Sequence, residues 1–278
     1  MQAGAMLNFL VHMISLAVLG LFVGFTSALL GVGGGFILVP SLMFLYGLSA
    51  HHAIGTTLAV TIFTGSSSAF SYFRQRRIDW RLALLTEAFS MPGSLIGALL
   101  TTYYSSRELK MLLAAFLPIL AISMILKGEN YSIPPLLKST KNGTFLWRRR
   151  FIDSKGNVFE YNINVLKLMI ISFVADIASG FFGIGGGVIK VPALYHLNVP
   201  IHIAIATSTL MVTLTALCGT IGHVTLGHVL WMELIGIVPG ILLGTQLGAH
   251  TASKTRSKTL KKIFVVALII MAILLLVK

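Results

Sequence analysis

The length of its apolar runs constrains this chain most. They reach around 20 residues, and the last of them, Val265–Val277, contains no polar residue. That length matches an α-helix crossing a hydrocarbon core of about 30 Å, and in lipid only helices and closed barrels satisfy their own backbone groups. Barrel strands are segments of about 10 residues that alternate polar and apolar faces, so unbroken runs specify helices. The composition agrees, with 56% apolar and only 10% charged residues, against about 25% charged in soluble domains. The chain reads as an all-α polytopic membrane protein.

The runs come in two sets of five. Segments near 9–30, 34–48, 52–73, 80–104 and 107–126 are followed by others near 165–182, 186–198, 202–222, 229–250 and 259–277. Glycines at 31, 33, 34 and 35 with Pro40 return at 183, 185, 186 and 187 with Pro192. Ala53, Ile54, Thr56 and Thr57 return as Ala204, Ile205, Thr207 and Ser208, and Trp80 as Trp231. Pro92 and Gly93 return as Pro239 and Gly240 after a four-residue deletion, about one helical turn. Ordered landmarks of this kind indicate an internal duplication. Three parts follow: a first transmembrane repeat over 1–126, a linker over 127–164, and a second repeat over 165–278.

Loop charge orients the repeats. If each has five crossings, 17 Lys and Arg fall on one side and 4 on the other; with four crossings the division is 13 to 8. The positive-inside rule therefore predicts two inverted repeats of five segments, each with one short, glycine-broken segment. Both termini lie outside, the linker lies in the cytoplasm, and the cell membrane is the expected location. With no Lys or Arg before Arg74, the first run lacks the basic start of a cleaved signal and is expected to remain as a span. The net charge of +13 then reflects loop retention and anionic lipid contact; no aromatic and basic interleaving suggests nucleic acid. In the linker, 145–152 and 157–163 are rich in aromatic and β-favouring residues around Asp153, Ser154 and Gly156, which predicts a β-hairpin.

The glycine clusters are the sharpest chemical feature. Each glycine costs a helix about 1 kcal/mol, and irregular backbone at membrane depth is tolerated only beside protein or a cavity. Paired breaks in two inverted halves mark the substrate site of secondary transporters, half-helix amino ends facing anionic groups. Gly33, Gly34, Gly35, Gly185, Gly186 and Gly187 are thus candidate substrate-binding positions, and close helix packing is the competing reading. Packing fully accounts for Gly236, Gly240, Gly244 and Gly248, a small-residue stripe. Thr56, Thr57, Thr207 and Ser208 offer hydroxyls to an oxyanion, or else cap their helices. Lys190, whose counterpart is Leu38, could attract an anion; Asp176 would be its counter-ion and Glu87 a coupling acid, since intramembrane charges are functional candidates by default. The histidines lack metal-ligand spacing, and Cys218 stands alone, so neither metal nor cofactor is expected.

In the paired glycine motifs, the prolines that follow them and the Thr/Ser pairs, the chain resembles the sulfite exporter TauE/SafE family of membrane transporters over essentially its whole length. The resemblance implies transport of a small, often sulfur-containing anion such as sulfite or sulfoacetate. The site would lie near the bilayer midplane, between the two broken helices. An anion channel or an intramembrane enzyme is the alternative; the chain has no G-x-S-x-G, H-E-x-x-H or Walker sequence. The oligomeric state is left open.

Overall fold

A computed structural model describes residues 2–126, 146–154 and 156–255, with 259–260, 262–263, 265–267, 269–270 and 273. The linker residues 127–145 and the terminal Lys278, both used in the charge division above, lie outside this set. Before the linker come α1 (Gln2–Leu30), α2 (Gly35–Leu45), α3 (Ala50–Arg74), α4 (Trp80–Ser90), α5 (Pro92–Leu100) and α6 (Ser106–Leu126). After it come α7 (Val165–Phe182), α8 (Gly187–His196), α9 (Ile201–Thr225) and α10 (Trp231–Ala252), and every described residue from 259 to 273 is helical. Between them, β1 (Leu146–Ile152) and β2 (Val158–Asn164) pair antiparallel from Leu146 opposite Asn164 to Ile152 opposite Val158. This is the hairpin anticipated from the sequence.

Among the described residues, α1, α3, α7, α9 and α10 are long and apolar enough to cross a membrane, and α4 with α5 makes a sixth span bent by 44°. The sequence had suggested one continuous segment over 80–104. Pro92, which lacks an amide hydrogen, starts α5 instead of continuing α4, whereas its counterpart Pro239 lies inside an unbroken α10. With 11 and 10 residues, α2 and α8 are only about 15–16 Å long, half of a hydrocarbon core.

Small residues set the packing. A Cβ at Gly240, Gly244 or Gly248 would strike the carbonyls of Ala17, Leu21 and Phe25, and one at Gly20 the carbonyl of Ile237. Thus α1 and α10 lie in direct backbone contact and run parallel. The same contact recurs between α5 and α7, where a Cβ at Gly97 would strike the Ile177 carbonyl and one at Gly180 the Ser94 carbonyl. At the centre α3 crosses α9, the start of one beside the end of the other: Gly55 meets His228, Leu58 meets Gly219, and Gly65 meets Thr213. The two helices therefore run antiparallel.

Apolar side chains such as Phe70, Phe73, Ile170, Val174, Leu243 and Leu247 face outward, while Glu87, Asp176 and Lys190 are fully buried. The polar groups are inside and the apolar surface outside, as a lipid environment requires.

Candidate functional site

The two glycine clusters meet at the centre. Gly31, Gly33 and Gly34 have φ of +72°, +82° and +80°, and Gly183, Gly185 and Gly186 have +71°, +76° and +72°. Only glycine adopts this left-handed backbone at no steric cost. It reverses the chain after α1 and α7 so that Gly34 and Gly186 start α2 and α8. A Cβ on Gly33 would lie 3.8 Å from Gly185 Cα, and both glycines rest on the methyl groups of Thr61 and Val212. A Cβ on Gly35 would strike the Gly183 carbonyl, and one on Gly187 would lie 2.7 Å from the Gly31 carbonyl. Each break thus seats the amino end of the other short helix, and tight packing brings the two helix termini together.

Three of the four paired hydroxyls hold loops. Thr56 Oγ1 accepts from the Leu230 amide at 2.9 Å, and Thr207 Oγ1 accepts from the Asp79 amide at 3.0 Å. Ser208 Oγ donates to the Gly31 carbonyl at 2.5 Å. Thr57 differs: its hydroxyl is buried and has no hydrogen-bond partner among the described residues.

Lys190, Asp176 and Glu87 come together although they stand on α8, α7 and α4. Lys190 Nζ lies 2.6 Å from Glu87 Oε1, 2.6 Å from Asp176 Oδ1 and 2.7 Å from Thr215 Oγ1. Thr215 Oγ1 lies in turn 2.8 Å from both Glu87 Oε2 and Asp176 Oδ1. A Cβ on Gly186 would be 3.2 Å from Asp176 Oδ1 and 3.6 Å from Lys190 Cε, so the cluster borders the second break. The anticipated Lys190–Asp176 pair is present, and Glu87 joins it as a second carboxylate. Sequence reasoning passed over Thr215, because threonines are frequent along α9. The first-repeat counterparts of Asp176, Lys190 and Thr215 are Gly24, Leu38 and Thr64, so the charged cluster belongs to the second break alone.

Two further clusters escaped the sequence reading. Asp79 is fully buried and caps α4 by accepting from the Leu82 amide at 3.1 Å. It also accepts from Arg149 and from the Tyr161 hydroxyl at 2.7 Å each. Burial and the Asp79 charge push the Tyr161 phenol well up. Burial works against the Arg149 charge, but hydrogen bonding and attraction to Asp79 outweigh it and hold the guanidinium above its ordinary range. At the other end of α3, His51, His52, His223 and His228 gather, with 3.1 Å between Nδ1 of His223 and Nδ1 of His228.

Paired broken helices around a buried ionic cluster, inside a shell of membrane-crossing helices, define a solute transporter in architecture. The chain belongs to the sulfite exporter TauE/SafE family, whose model matches residues 16–275, and it is a membrane transporter, not an enzyme. It is 35% identical over 233 residues to the probable membrane transporter protein YunE of Bacillus subtilis, covering 81% of this chain and 83% of that protein. It is 27% identical over 223 residues to YdhB of the same organism, a probable membrane transporter protein, covering 80% and 81%. A sulfite exporter TauE/SafE family protein 6 of Arabidopsis thaliana is 31% identical over 75 residues, 27% of this chain and 18% of that protein. No solved structure matches.

Proposed function

We propose that this transporter is a gradient-driven carrier of a small anion of the sulfur oxyanion or organosulfonate class, such as sulfite or sulfoacetate. It is built from two inverted repeats of five segments in the cell membrane. The anion binds where the amino ends of α2 and α8 converge, between Gly33–Gly35 and Gly185–Gly187. Helix amino ends carry partial positive charge and unfilled amides, and the duplication brings two of them to one point. That convergence, with Gly33 and Gly185 back to back, is the observation that carries the reading. Lys190 supplies the full positive charge and Thr57 a hydroxyl with no partner among the described residues, while Thr56, Thr207 and Ser208 hold the surrounding loops. The antiparallel course of α3 and α9 supports inversion, because duplicated helices that cross a membrane in opposite directions belong to inverted halves.

Purified protein in liposomes tests this with a panel of sulfite, thiosulfate, sulfoacetate and simple carboxylates. Protein-dependent flux of at least one sulfur anion is expected, and it should be lost in Gly186→Val. Absence of flux for every anion, from protein verified as inserted, overturns the reading.

A further inference from the structure

We infer that the carrier moves protons together with its anion, and that Glu87 holds the proton. This rests on the proposed anion site and assigns its coupling ion. The argument begins with hydrogen atoms around Thr215. Its Oγ1 has four polar neighbours: Lys190 Nζ at 2.7 Å, Glu87 Oε2 and Asp176 Oδ1 at 2.8 Å each, and the Met211 carbonyl at 2.9 Å. A hydroxyl donates once and accepts twice. Lys190 fills one accepting position, which leaves three acceptor oxygens competing for one hydrogen. With both carboxylates ionised, the hydrogen serves one of those oxygens, and the other two sit at hydrogen-bond distance with no hydrogen between. One proton on Glu87 Oε2 resolves most of this: Thr215 then accepts from Lys190 and Glu87 and donates to Asp176 or to Met211.

Charge balance requires the same proton. One ammonium and two carboxylates leave a net charge of −1 on side chains no more than 1% exposed, and an uncompensated charge in such a place is strongly disfavoured. The charged groups facing Glu87 are Lys190 from α8 and Asp176 from α7; α9 presents Thr215, with Cys218 close to Asp176. Of the two acids, Asp176 adjoins Gly186 at the amino end of α8, where a helix favours negative charge. Glu87 Oε2 faces Thr215 Oγ1 at 2.8 Å, an acceptor for that proton. The proton therefore resides on Glu87, and Asp176 remains the standing partner of Lys190.

An anion that takes up Lys190 must loosen the Glu87 contact, and a neutral Glu87 can release the ammonium without leaving a buried charge behind. Anion and proton thus favour each other's binding, and this linkage is reciprocal. The proton enters from water on one side, resides on Glu87 Oε2 and leaves to water on the other; no bond except O–H forms or breaks.

Liposomes holding a trapped pH dye, supplied with radiolabelled sulfoacetate, test the coupling. At neutral pH sulfoacetate is fully ionised and carries in no proton of its own. For the wild type, uptake should acidify the interior, and an inwardly directed proton gradient should raise accumulation at least tenfold. Glu87→Gln mimics the protonated acid, so it should keep its melting temperature, and whatever sulfoacetate flux it retains should bring no acidification and no gradient-driven accumulation. Asp176→Asn should retain the pH response in whatever flux remains. Sulfoacetate flux with no pH response in the wild type, or gradient-driven accumulation surviving in Glu87→Gln, overturns the inference. Infrared difference spectroscopy provides an arm that needs no transport: a protonated-carboxyl band should be present and should vanish in Glu87→Gln. If no anion moves but that band is found, the anion reading fails and the proton assignment stands; if the band is absent, the assignment fails.

Discussion

Asp79 and Arg149 form a two-pronged ion pair, with Arg149 Nε 2.7 Å from Asp79 Oδ2 and NH2 2.7 Å from Oδ1. The pair fastens β1 to the loop joining α3 and α4. A second tie, Arg77 to Asp153 at 2.8 Å, fastens the hairpin turn to the same loop. The hairpin is therefore a clamp on the end of α3, and its basic residues are partly consumed in holding it there.

The clamp sets the first prediction. Arg149→Met leaves the buried Asp79 carboxylate without its cation, and removing one partner of a buried pair costs about 3–5 kcal/mol. Adding Asp79→Asn keeps an N-cap of similar quality and removes the stranded charge. Thermal unfolding in detergent should show the double variant melting above the Arg149→Met single.

A second prediction separates backbone conformation from packing at the breaks. Gly34 and Gly186 have positive φ, and a Cβ there would lie 2.7 Å from Val23 Cγ1 or 3.2 Å from Asp176 Oδ1. A β-branched residue at positive φ is an outlier, and strain of this kind is on the order of 1–3 kcal/mol. Gly34→Val and Gly186→Val should insert in the membrane yet lose flux. Gly47, whose φ is also positive but whose Cβ would meet nothing, should tolerate alanine with flux largely intact. Flux assays on membrane fractions of matched protein content provide the check.

The histidine cluster predicts a pH dependence. Burial, then the neighbouring charges of His51 and His52, push His228, in the loop after α9, down from 6.5 to about 4. Between those values the unfolded chain binds more protons than the folded one, so stability falls as pH drops from about 6.5 towards 4. His223 faces the same ring through its Nδ1, and a second proton there would set N–H against N–H. Melting temperature against pH should decline across this window in the wild type and decline less in His228→Asn.

Topology is tested by single cysteines in a Cys218→Ser background. Positions 76, 148 and 254 should be labelled from the cytoplasmic side, and positions 47, 104 and 227 from outside. Labelling of 76 and 254 from opposite sides would remove the inverted arrangement. The parallel run of α3 and α10, through Ser67 with Thr245 and Gln75 with the Ala249 carbonyl, leads to the expected result.

Much of the architecture lies in local sequence, because a membrane requires each span to declare itself by length and apolarity. The helices, the glycine breaks and the hairpin all follow from patterns within about 30 residues of chain. The role of Gly240, Gly244 and Gly248 was readable in the same way, since four-residue spacing puts them on one helix face. Where a side chain's meaning depends on a neighbour far along the chain, sequence was silent. Glu87 joining Lys190 across 103 residues, Thr215 bridging them, and Asp79 gathering Arg149 and Tyr161 depend on which helix faces abut. The backbone contacts of glycine stripes decide that only once the chain is folded. Position in sequence identified which charges were out of place in an apolar environment, and tertiary structure decided which of them neutralise one another, because attraction in a dry interior depends on distances of 2–3 Å that no spacing rule encodes.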